Sequence, residues 1–218
     1  MRLDFPRQVA LAAFCLFSAS LSAGQDDQLI EQLGDRLLDR GSAPGYSVPV
    51  GDGMRLLVTQ SFKTYPVSGD SWTSVMASLR RSPLDVHGSI AYGLTRAGWK
   101  WTYQVLEQDR LCTIHGFDLV LDLVVVLPEL VRSRLAPEEM ALWKEYADGV
   151  AQHERIHAQD ALDVGVRLLK TLAEMPGAAS CSDLQKQVEG VHAREMEWFQ
   201  ARAAEVDAQR MGFPARFR

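Results

Sequence analysis

The sequence predicts an α+β fold: a small antiparallel β-meander packed against a long antiparallel hairpin of two helices. Two observations carry this. Between Met54 and Pro128 apolar residues alternate with polar ones or run together over short stretches, as strands require. From Pro137 to Arg210 they recur every three or four residues, with a break at Met175-Pro176-Gly177. A chain of 218 residues, 47% hydrophobic, suits one domain with a sizeable core.

The chain opens MRLDFPRQVALAAFCLFSASLSAGQ. Arg2 and Arg7 precede an apolar run over Val9–Leu21, and small residues follow at Ser20, Ser22 and Ala23. That is the layout of a secretory signal peptide cleaved near Ala23, with an apolar run too short to span a bilayer. The expected organisation is therefore a signal peptide over 1–23, a polar lead-in over 24–53 and a folded domain over 54–213. The mature protein is expected to be periplasmic or secreted, with no stable membrane span. Residues 1–23 carry Arg2, Arg7 and Asp4, a net +1, so their removal takes the formal charge from −5 to −6. An acidic chain argues against nucleic acid as a partner. Cys15 leaves with the signal, and Cys112 and Cys181 remain as an even pair in an oxidising compartment. A disulfide between them is expected. Closing a loop of about 70 residues stabilises a fold by roughly 4 kcal/mol.

The elements follow in order. Gln28–Leu38 is expected as a short helix in an otherwise loose lead-in. MRLLVTQSFKTYPV, from Met54, reads as a strand. Asp70 or Ser71 is placed to cap a helix bearing Trp72, Val75, Met76 and Leu79 on one face, stopped by Pro83. Trp99, Trp101, Tyr103 and Val105 alternate with Lys100, Thr102 and Gln104, a half-buried strand. RLCTIHGFDLVLDLVVVLPEL supplies one or two more strands ending at Pro128, and its unbroken Val124–Val126 run predicts cover on both faces. Pro137, Glu138 and Glu139 suit the first turn of a helix. Its stripe of Trp143, Tyr146, Ala147, Val150, Ala161, Val164, Leu168 and Leu172 faces the core. Cys181 falls in the connection, and a second helix is expected from about Asp183 to Arg210.

Within the first long helix stands AQHERIHAQDAL. His153 and His157 are four apart, so they project from one face, and they continue the stripe of Val150 and Ala161. Two inward imidazoles at this spacing reach one Zn2+ ion, with Glu154 beside it as a general base. This is the H-E-x-x-H pattern of zinc metallopeptidases, and the fold expected around it is zincin-like. The structural alternative is a pair of histidines satisfied by hydrogen bonds in a partly polar core. A third ligand is needed. Asp163 lies where an extended motif would place one, but that requires the helix to break after His157, and Asp160 stands at the usual glycine. Asp160 is expected to orient His157 rather than to ligate. If the hairpin turns near Ala178, Glu205 and Asp207 come opposite the histidines, with Glu197 and His192 nearer the connection. His115 or His192 joining the cluster is a weaker idea, and His87 is assigned nothing.

YPVSGDSWTSVMASLRRSP, GWKWTYQV, Cys112 ahead of a strand ending in Leu-Pro, HERIH and Cys181 occur in one order. That order resembles a bacterial family of unknown function described as predicted secreted zinc-dependent proteases, over about residues 55–213. The family's C-terminal pattern is similar to Tyr-Asp-x-x-Thr-x-His-Gly. Here the stretch reads VDAQRMGF, which keeps Asp207 but has Val206 for the tyrosine, Arg210 for the threonine and no histidine. The resemblance thus points to Asp207 as third ligand. The functional expectation is an exported zinc metallopeptidase acting on a peptide or protein substrate, with Trp99, Trp101 and Tyr103 lining a cleft or, more commonly for such a stripe, packing in the core. The alternative is a non-catalytic exported envelope protein whose metal site is structural or vestigial and which binds a partner.

Overall fold

The computed structural model describes residues 45–81, 84–86 and 89–217. The expected signal peptide over 1–23, the expected helix over 28–38, Pro83 and His87 lie outside the described residues.

Among the described residues six strands and three α-helices follow in the order β1 (Gly45–Gly51), β2 (Met54–Val67), α1 (Trp72–Arg81), β3 (Leu84–Val86), β4 (Ser89–Ala91), β5 (Leu94–Gln108), β6 (Leu111–Leu130), α2 (Pro137–Ala173) and α3 (Cys181–Gln209). The fold is α+β, but the sheet is not an antiparallel meander. Its strand order is β1-β2-β6-β5, and β2 runs parallel to β6 from Met54↔Phe117 to Val67↔Leu130. β1–β2 and β5–β6 are antiparallel, so the sheet is mixed. The parallel pair needs a crossover, which α1, the small β3–β4 ribbon and β5 supply. β1 lies within the stretch expected as a polar lead-in. Residues 45–51 are an edge strand in register with β2, with Tyr46 opposite Val58 and Val48 opposite Leu56. Val48 sinks into the core, which fixes that register.

β5 and β6 join through Asp109 and Arg110, both with positive φ (52° and 65°), the backbone a two-residue hairpin turn demands. β6 is one strand of 20 residues that passes through Pro128. Leu119, Leu121, Leu123 and Val125 are fully buried, whereas Val120, Val124 and Val126 are half-buried. The valine run is therefore covered on one face only, contrary to the two-sided cover its composition predicts. The inner face packs on α2, and each leucine buried there is worth roughly 1.5–3 kcal/mol.

Ser71 caps α1: its carbonyl accepts the Val75 N–H at 3.0 Å and its Oγ the Ser74 N–H at 3.3 Å. Glu139 ties the starts of two helices together, accepting from the Trp72 N–H at 2.9 Å and the Ala136 N–H at 3.4 Å. Pro137 is the first residue of α2, and the expected stripe from Trp143 to Leu172 is buried apart from the half-buried Ala147. α3 starts at Cys181, earlier than its sequence suggests, because Ser180 accepts the Asp183 N–H at 3.1 Å. Pairs between α2 and α3 run in opposed chain directions: Arg167–Glu195 at 2.7 Å, Asp160–Arg202 at 3.3 Å and His157–Asp207 at 3.1 Å. Cys112 and Cys181 form a disulfide, flanked by two main-chain hydrogen bonds between Cys112 and Ala178. No helix among the described residues is long and apolar enough to cross a membrane.

Candidate metal centre

α2 runs unbroken for 37 residues, so His153 and His157 keep their one-turn spacing. Their side chains are 12% and 13% exposed, and their rings meet edge to face at 4.8 Å. The two Nε2 atoms are 3.3 Å apart. Asp207, two residues from the end of α3, places Oδ1 at 3.1 Å from each of them. Among the described residues, these three form the group whose ligand atoms converge within metal-binding range. Asp207 is 65% exposed, so the cluster opens to solvent on the carboxylate side.

The donor set fits a cation. His153 Nδ1 lies 2.8 Å from the carbonyl oxygen of Met211. A carbonyl only accepts, so Nδ1 carries the hydrogen, and a neutral ring then has a bare lone pair on Nε2. That lone pair faces the carboxylate oxygen of Asp207 and the Nε2 of His157. With the His157 lone pair also on Nε2, three electron-rich atoms would face one another, and a positive charge among them would relieve their repulsion. The spacing also suits a metal: four ligands at 2.0–2.1 Å around tetrahedral zinc stand about 3.3 Å apart. The observed separations are 3.1, 3.1 and 3.3 Å. Burial, and then the neighbouring His153, holds the pKa of His157 below the usual histidine value, which keeps its lone pair available.

Glu154 turns inward beside the histidines and is 3% exposed. The Thr95 hydroxyl, at the start of β5, donates to its Oε2 at 2.8 Å. Burial pushes the Glu154 carboxyl up to about 7, against the Thr95 hydrogen bond. Space for the carboxylate comes from Gly93, where a Cβ would lie 2.4 Å from Glu154 Oε1.

A family model described as a bacterial protein of unknown function (DUF922) matches residues 62–213. The chain belongs to that family. No curated protein and no solved structure matches it. The span shared with the DUF922 family holds both cysteines, HERIH and Asp207, whereas β1 and the first half of β2 lie ahead of it.

Within that span the remaining acidic candidates stand outside the converging group. Asp160, expected to orient His157, is buried and pairs with Arg202 at 3.3 Å. Asp163 accepts from Gln159 at 3.0 Å, Glu205 pairs with Arg202 at 2.7 Å, and Glu197 is exposed. The His192 ring lies tilted against Trp101, centroids 4.5 Å apart, and His115 is exposed. Trp99 packs on Phe199 and Tyr103 on Phe117, so the aromatic stripe is mainly core. Thr95, Gly93 and the Met211 carbonyl were not singled out by the sequence. No local pattern marks them, because each acts through a contact distant in the chain.

Proposed function

We propose that this chain is an exported zinc-dependent metallopeptidase with a zincin-like arrangement of its two long helices. The observation that carries the reading is the convergence of His153, His157 and Asp207 with a buried Glu154 directly after the first histidine. These three side chains would hold the metal, leaving a position open on the exposed Asp207 side. When bound, zinc supplies Lewis acidity, polarising a peptide carbonyl and making water easier to deprotonate. Glu154 is the general base: its carboxylate takes a proton from the attacking water and passes it to the leaving amide nitrogen. Thr95 holds that carboxylate in place. Among the described residues β5 is an edge strand whose Thr95 reaches Glu154, and that edge suits an extended peptide added as a further strand.

The test is direct. Purified protein contains one chelator-removable zinc per chain, and His153→Ala abolishes it. Glu154→Gln retains zinc and loses cleavage of an unfolded protein substrate by roughly 10²–10⁴-fold. Full cleavage by that variant refutes the mechanism. A second reading, an exported partner-binding protein with a structural or vestigial site, is favoured by Val206 and Arg210 at positions where the resembling family has tyrosine and threonine. Retention of zinc with no hydrolysis of any unfolded substrate by the unaltered chain decides for it.

A further inference from the structure

After its last helix the chain folds back across α2. Arg210 ends α3 in the left-handed region (φ 48°), its N–H on the Asp207 carbonyl at 3.2 Å and the Met211 N–H on the Val206 carbonyl at 3.1 Å. The Met211 carbonyl then accepts from His153 Nδ1. Gly212 has φ +85°, and a Cβ there would lie 2.7 Å from the His153 nitrogen and 2.9 Å from the Gln152 carbonyl carbon. Glycine is demanded twice over, by backbone conformation and by close approach. The Phe213 ring sits 5.4 Å from His153 and 6.0 Å from Tyr146. Pro214 rests on Gly149, where a Cβ would meet its Cδ at 2.9 Å. Phe217 packs on Tyr146 at 5.4 Å and Trp72 at 6.1 Å, and Arg216 pairs with Glu145.

We infer that residues 210–217 are a positioning strap for the metal centre, which fixes the tautomer and orientation of His153 while its near end anchors the turn that carries Asp207. This rests on the metal-site reading above. Two of the three donors then depend on one short segment that itself supplies no ligand. Met211, Gly212 and Phe213 are positioning residues. Groups that hold the far nitrogen of a ligating histidine raise its basicity and orient its ring.

The experiment uses the full chain and reads two quantities: the His153 tautomer in metal-free protein, from nitrogen-15 NMR, and zinc affinity, from chelator competition. The intact chain shows hydrogen on Nδ1. Gly212→Ala lifts the strap, populates the Nε2–H tautomer and weakens zinc by roughly 10–100-fold, with helix content and the disulfide unchanged. Should that variant fail to fold, Phe213→Ala takes its place under the same criteria. An Nε2–H tautomer in the intact metal-free chain, or a variant affinity within about threefold of the intact one, overturns the strap. An intact chain that takes up no zinc refutes the metal-site reading and, with it, the strap's role at a metal, whereas zinc uptake with an Nε2–H tautomer in the metal-free chain overturns the strap alone.

Discussion

Replacing both cysteines, as Cys112→Ala with Cys181→Ala, removes a cross-link between residues 69 apart. In the chain-entropy treatment, a loop of that size contributes about 4 kcal/mol through the unfolded state. The native geometry around it has other supports: two main-chain hydrogen bonds between Cys112 and Ala178, and the Ser180 cap on α3. The folded structure is therefore retained and the loss falls mainly on stability. For a domain of this size, 4 kcal/mol corresponds to a fall in Tm of about 8–16 °C. Calorimetry of the two proteins, with urea unfolding for the free-energy difference, measures it. The candidate metal centre lies at the other end of α3, roughly 40 Å away along the helix axis. Zinc stoichiometry is thus expected to be unchanged in the folded variant. A Tm within about 3 °C of the parent refutes the reasoning, because the loop would then be constrained equally well without the bond.

Further outcomes follow from the site. Gly93→Ala drives a methyl to 2.4 Å from Glu154 Oε1 and is expected to cost about 1–3 kcal/mol, read by urea titration, and to reduce cleavage without loss of zinc. Thr95→Val keeps the shape but strips the donor from a buried carboxylate, and a similar unfolding experiment should show a loss of about 1–3 kcal/mol. Arg202→Met leaves Asp160 buried without its cation, destabilising the chain at pH 7 and much less at pH 3, where the carboxyl is protonated. In metal-free protein the folded pKa of Glu154 is raised from 4.5 to about 7, so its share of stability is present below pH 4.5 and is lost as the pH climbs to about 7. Glu154→Gln should therefore gain on the parent between pH 5 and 8, and a constant difference across that range would contradict this.

Local signals recovered local structure. Ser71, Pro137 and the Met175-Pro176-Gly177 break lie at or within a few residues of helix ends, because caps and breakers act within a few residues. Helix geometry fixes which residues share a face, so the histidine pair was legible; an expected turn near Ala178 brought both Glu205 and Asp207 opposite it, and only the family resemblance pointed to Asp207 between them. Strand direction was not readable. Alternation places Leu56 and Leu119 on a buried face but is the same for parallel and antiparallel partners, so the β2–β6 pairing followed only from tertiary packing. The sequence GYSVPVG looked like lead-in, since Pro49 and two glycines mask an edge strand that needs few hydrogen bonds. The valine run misled for a related reason: an apolar side chain half-buried on an outer face looks the same in sequence as one sealed inside.

The unbroken α2 has an evolutionary corollary. One residue inserted between Pro137 and Ala173 would turn everything beyond it by about 100° around the axis, carrying either the histidine pair or the core stripe out of alignment. Insertions and deletions among relatives should therefore gather in the segment between α1 and β5 and in the turn from α2 to α3, while the spacing from Trp143 to Leu172 stays constant.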